Sequence, residues 1–210
     1  MKKGNLPLEK IKKILIVRPD AIGDMVLTLP CIKAIKDTYP HMSITVLASG
    51  YNAKVIEHLD YIDNIIIDWF AKGEVNNWKD VWKYSRFLKK ENFDAAVHFY
   101  SETPQIWTSV LARIPYHLGD KAKVGLWPVL RKHGVFLKSF DQTKHVIDYN
   151  FQLLEPLNVK KPTNLKQVLY PDGSALERSG KLLKEAGYRM GRRLVGIHPG
   201  VGAEIGRAHV

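Results

Sequence analysis

The chain has 210 residues, room for one large α/β domain or for one domain and part of another, and 45% of them are hydrophobic, enough for a real core. A formal net charge of +11 attracts phosphorylated ligands, nucleic acid or an anionic membrane without choosing among them. The single cysteine, Cys31, excludes an intrachain disulfide and a cysteine metal framework, and no run approaches the roughly 18–20 apolar residues that span a bilayer.

In chain order, strand and helix signals alternate. Residues 13–18 read as an apolar strand ending in Arg18, followed by a tight connection over 19–23. Residues 24–39 read as a helix with Met25, Leu29, Ile32 and Ile35 on one face, Cys31 buried on its apolar side and Pro40 as its stop. A strand over 43–48, a short helix over 51–59 and a strand over 64–68 follow. Residues 77–90 predict a helix with Trp78, Val81, Trp82, Ser85 and Leu88 inward and a solvated stripe of Lys79, Lys83, Arg86 and Lys90 opposite. Residues 94–99 read as a buried strand carrying His98, and 103–113 as a helix. The pattern weakens over 115–140 and resumes as a helix over 141–157.

This alternation predicts a Rossmann-like α/β domain: a parallel sheet with right-handed crossovers and helices on both faces. Residues 1–165 form that domain. Residues 166–203 read as a linker helix (174–188) and the first strand of a second domain, over 193–198, running into Pro199-Gly200. Residues 204–210, ending in IGRAHV, have no apolar period. They read as one frame of a sequencing adapter, and a non-native tail is expected there.

The first βα unit, ILIVRPDAIGDMVLTLP, carries the sharpest chemical signal. Its turn falls at the carboxyl edge of the sheet, where open α/β folds bind ligands. Asp24, at a helix start, meets free backbone N–H groups and the positive end of the helix dipole. From position alone it is either a helix cap worth about 1 kcal/mol or a general base worth about 10²–10⁴-fold in rate. Arg18 either orients Asp24, holds an acidic ligand, or is a surface residue. Gly200 either lets a phosphate approach the backbone or simply makes a turn. Lys121, Lys123, Arg131, Lys132, Lys138 and Lys144, interleaved with Trp127 and leucines, read as a phosphate-contacting lid or as a solvated loop. No histidine spacing suits a metal, and no Walker loop or GxGxxG fingerprint is present.

The opening resembles glycosyltransferase family 9, the bacterial heptosyltransferases of lipopolysaccharide core assembly. The resemblance rests on Arg18, Gly23-Asp24, Leu27-Thr28-Leu29-Pro30 and Tyr39-Pro40, and on YIDNIII, FDAAVH, KHVIDYNFQLL and VGIHPG further on, so it reaches nearly to residue 203. It implies a GT-B protein, with two Rossmann-like domains facing across a cleft. The N-terminal domain would bind a lipid-linked oligosaccharide acceptor, with Arg18, Gly23, Arg131 and Lys132 on its side of the reaction. Asp24 takes the place of the family's catalytic base. Gly200 takes a donor-site place, and His145 that of a histidine before an apolar helix, with an interdomain or a helix-start role. Asp20 departs from the small hydroxyl residue common at its position; it would alter acceptor preference or face water.

The implied activity is inverting, metal-independent transfer of heptose from an ADP-sugar to the lipopolysaccharide inner core. The donor is a substrate and no cofactor is expected. A monomer peripheral to the anionic cytoplasmic face of the inner membrane is expected, with no nucleic acid partner. The 210 residues alone are expected to be inactive, because most of the family's donor pocket lies beyond them. The competing readings are a family-9 transferase for another donor or glycan, and a non-catalytic basic module binding anionic lipid or RNA.

Overall fold

The computed structural model describes residues 6–75, 77–121, 134–135, 145–163, 165, 169–189 and 191–197. These divide into two compact units at Tyr170–Pro171.

The first unit is built on five parallel strands, β1 (Lys13–Val17), β2 (Ser43–Ala48), β3 (Asn64–Ile67), β4 (Ala95–His98) and β5 (Tyr116–Gly119), in the order β3-β2-β1-β4-β5. The central strand, KILIV, is a continuous apolar run because both faces of a parallel sheet are covered. Alternation along it splits the core. Ile14 and Ile16 join α1 (Ile22–Thr38), α2 (Gly50–Ile56) and α5 (Val146–Leu153) through Met25, Leu29, Ile32, Ile56, Phe151 and Leu153. Leu15 and Val17 point the other way, to Tyr84 and Leu88 of α3 (Trp78–Lys90) and to Ala112 and Ile114 just beyond α4 (Thr103–Leu111). Cys31 is buried and free, and burial pushes its thiol pKa well up, as for an inert core residue.

Several predicted boundaries move. Helix α1 begins at Ile22, with extended Ala21 as its N-cap, so Asp24 is the third helical residue and not the cap. Strand β5 falls inside the stretch where the sequence pattern fades: four residues containing His117 and Gly119 have little period of their own, and pairing with β4 makes them a strand. Residues 141–144 of the predicted fifth helix lie outside the described residues, and α5 runs only to Leu153 before a 3₁₀ turn at Glu155–Leu157.

Helix α3 corrects the prediction most. Its buried side is Val81, Tyr84, Ser85 and Leu88, while Trp78 and Trp82 are exposed beside the lysines. The inner aromatic places are taken by Trp69, stacked on Tyr84 at 4.7 Å, and by Phe87. Asn77 caps the helix, its Oδ1 accepting from the Lys79 and Asp80 amides at 2.9 and 3.2 Å.

The second unit contributes α6 (Gly173–Glu185), capped by Asp172, whose Oδ1 accepts from Ala175 N at 2.7 Å. Residues 193–197 do not form the predicted strand, since no neighbouring strand among the described residues takes up their backbone hydrogen bonds. No helix among the described residues is long and apolar enough to cross a membrane.

Candidate active site

Strand order reverses between β1 and β4, so the crevice of this sheet opens at their carboxyl ends. Val17 closes β1 opposite His98, which closes β4, and the chain leaves β1 directly into Arg18. Asn52 fastens the turn from below: its Nδ2 donates to the carbonyls of Arg18 at 3.3 Å and Asp20 at 2.8 Å.

Arg18 is buried, with only 7% of its side chain exposed, yet it carries a charge that must be paired there. Two carboxylates supply the pairing. Nε lies 3.0 Å from Asp20 Oδ1 and Nη2 lies 3.0 Å from Asp24 Oδ1. Asp20 is itself only 17% exposed, so the second carboxylate neither faces water nor stands apart: it shares the guanidinium. Asp24 is 43% exposed, and its Oδ2 has no partner among the described residues. One oxygen is thus held while the half-exposed side chain leaves the other to accept, which is the arrangement a proton acceptor needs. A Cβ added at Gly23 would meet nothing within 4 Å, and its φ is not positive, so no contact among the described residues demands glycine there.

Beside this turn lies a polar chain that sequence reasoning missed. His98 Nδ1 is 2.7 Å from Ser101 Oγ, His98 Nε2 is 3.2 Å from His117 Nδ1, and His117 Nε2 is 2.9 Å from the Ile114 carbonyl. Burial pushes the His117 pKa down to about 4, so the ring is neutral near pH 7. A carbonyl only accepts, so the His117 proton sits on Nε2, which makes Nδ1 an acceptor and His98 Nε2 its donor. In the neutral form of His98, Nδ1 accepts from the Ser101 hydroxyl. Sequence alone could reveal His98 only as a polar residue at a strand end; its partner sits on the strand that the pattern did not show.

A second missed group is Asp68, fully buried just past β3. Its carboxylate accepts from Tyr84 Oη at 3.1 Å and Gln105 Nε2 at 3.0 Å, and burial raises its pKa against the lowering effect of these bonds. At the starts of α3 and α4, Phe70, Trp78, Val81, Pro104 and Trp107 line a cavity of about 450 Å³.

Of the remaining predicted site residues, His145 is among the described ones. His145 is the N-cap of α5, its Nδ1 accepting from Ile147 N at 3.2 Å. Arg131, Lys132 and Gly200 lie outside the described residues, as do Lys123, Trp127, Lys138 and Lys144 of the basic segment.

No protein-family model matches the chain. It is 25% identical over 198 residues to a Haemophilus influenzae protein named as a glycosyltransferase, covering 91% of this chain and 55% of that protein. It is 27% identical over 143 residues to lipopolysaccharide heptosyltransferase 3 of Escherichia coli, covering 65% of this chain and 40% of that protein. Among solved structures, the glycosyl transferase family 9 protein from Veillonella parvula superposes with a TM-score of 0.76 at 19% identity, over 97% of this chain and 57% of that one. The chain spans about half the length of the curated relatives it matches.

Proposed function

We propose, from a chain that is a relative of the family-9 glycosyltransferases in sequence and fold, that it forms the acceptor half of an inverting glycosyltransferase. The transferred sugar is heptose, its donor ADP-heptose and its acceptor the lipopolysaccharide inner core. The reaction takes place at the cytoplasmic face of the inner membrane, with the protein peripheral to the bilayer.

The observation that carries this reading is the geometry of Asp24: half-exposed at the switch point of the sheet, one oxygen pinned by Arg18 and the other without a partner among the described residues. In the step proposed, the acceptor hydroxyl oxygen attacks the anomeric carbon, its proton passes to Asp24 Oδ2, and the bond from that carbon to the diphosphate oxygen breaks. The nucleoside diphosphate leaves with the electron pair. Arg18 fixes the base and keeps Asp20 and Asp24 from repelling each other. The open space over Gly23 lets the sugar ring approach the start of α1. Charge on the leaving diphosphate is met by the donor-binding domain of the whole protein.

The test is sugar transfer from ADP-heptose to a lipopolysaccharide core acceptor, measured for the 210-residue chain and for the chain joined to a family-9 donor domain. Transfer is expected only from the joined protein, and Asp24→Asn should lower its kcat by about 10²–10⁴-fold. Undiminished transfer by Asp24→Asn removes the general-base assignment. Transfer by the 210 residues alone removes the division of labour.

A further inference from the structure

On a helix, 100° per residue places Trp78, Lys89, Trp82, Arg86, Lys79, Lys90 and Lys83 within one arc of roughly 140°, and all seven are exposed. The arc contains no acidic residue. Asp80 lies outside it on the helical wheel and reaches Lys83 at 3.7 Å. The two indoles are 70% and 56% exposed, and neither is needed by the core, whose aromatic places Trp69, Tyr84 and Phe87 already hold. The Arg86 guanidinium lies over the Trp82 ring at 4.8 Å, so one cation is stacked on an indole and held at the surface. The apolar side of α3 is taken by the core, and its exposed face suits the headgroup level of a bilayer: an indole seats there while long basic side chains reach anionic phosphates.

We infer that the exposed face of α3 is the surface by which this protein lies on an anionic lipid bilayer. The occupant follows from charge complementarity, since five basic residues with two indoles and no carboxylate match a negatively charged, half-apolar interface. The inference rests on the acceptor reading only for its purpose. The start of α3 is at the carboxyl edge of the sheet, the edge that also carries Asp24, so a bilayer under this face would bring a lipid-anchored acceptor to the same end of the domain.

The experiment is partition of the full 210-residue chain onto vesicles, read by co-sedimentation and by quenching of tryptophan fluorescence with brominated lipid. Vesicles of phosphatidylcholine with and without one third phosphatidylglycerol are compared at low and high salt. Binding is expected on the anionic vesicles and should fall with salt. Lys83→Ala, Lys89→Ala and Lys90→Ala together should weaken it by about a hundredfold, at about fivefold for each cation near the surface. Trp78→Ala with Trp82→Ala should lose most of the quenching. Trp78→Phe with Trp82→Phe, which keeps an aromatic surface, should bind more tightly than the alanine pair. Circular dichroism of each variant identifies any that does not fold.

The inference is overturned by absence of vesicle binding in the parent chain, by equal partition of folded parent and triple-alanine chains, or by single-stranded RNA displacing the protein from vesicles at equal charge concentration. The joined enzyme separates this result from the functional reading. Transfer to a deacylated, water-soluble acceptor with no vesicle binding defeats the membrane face and leaves the transferase; vesicle binding with no transfer does the reverse.

Discussion

Arg18 Nη2 stands 3.0 Å from Asp24 Oδ1 while its Nε stands at the same distance from Asp20, so one buried guanidinium organises two carboxylates of unequal exposure. The inequality separates a structural from a chemical role. Removing the cation by Arg18→Leu leaves Asp20 charged, mostly buried and facing a second carboxylate, and should cost about 3 kcal/mol. Asp24→Asn keeps the size of a half-exposed side chain and should change stability by less than about 1 kcal/mol. Urea unfolding of the 210-residue chain measures both. A loss for Asp24→Asn as large as that for Arg18→Leu would make Asp24 a structural residue first.

His117 gives the fold an acid sensitivity. Its pKa is about 4 in the folded protein against 6.5 for a free imidazole, so between those values the unfolded chain holds a proton that the folded one does not. Stability is therefore fully present above pH 6.5 and is lost as pH falls toward 4, by roughly 3 kcal/mol across the window. Unfolding free energies at pH 7, 5.5 and 4.5 should show this slope. His117→Gln should flatten it over that range while lowering stability at pH 7 through the donor left at His98. An unchanged slope in His117→Gln would place the acid sensitivity elsewhere.

Helix α3 depends on its first turn, where Asn77 satisfies two amides that would otherwise face water. Asn77→Ala should cost about 1 kcal/mol in thermal or urea unfolding, and Asn77→Ser or Asn77→Asp much less. If all three variants lose the same amount, the cap bond is not what anchors the helix.

How far the sequence could speak depended on whether a feature was local. The first βα unit could be read because a strand covered on both faces is apolar throughout and runs straight into its turn, and Arg18 and Asp24 are six residues apart on that one segment. Asp20 could not be placed, since only the folded turn, held by Asn52 from another βα unit, swings it onto Arg18. His98 and His117 meet because β5 lies beside β4, and β5 is too short to announce itself. Helical period with the largest apolar side chains turned inward puts Trp78 and Trp82 in the core, whereas both are exposed. The interior has room for Tyr84 instead, whose hydroxyl finds Asp68, while an indole there would bring an N–H needing a partner of its own.

That Tyr84–Asp68 bond supports a pH dependence of opposite sign. Burial raises the Asp68 pKa, so as pH rises above the ordinary aspartate value of about 3.9 the unfolded chain releases a proton that the folded one retains. Stability contributed by Asp68 is present below that value and is lost as pH rises through the folded pKa. Once ionised, the carboxylate leans on its donors, Tyr84 Oη, Gln105 Nε2 and the Phe70 amide. A hydrogen bond to a charged group is worth about 1.5–3 kcal/mol and one to a neutral group about 0.5–1.5. Tyr84→Phe removes one donor with almost no change of shape, and should therefore cost about 2 kcal/mol where the carboxylate is ionised and only about 1 where it is protonated. Urea unfolding of both chains as pH is raised step by step from about 3.9 measures the difference. Equal losses would mean that Asp68 keeps one protonation state throughout, and that the tyrosine holds the loop after β3 by packing against Trp69 rather than by holding a charge.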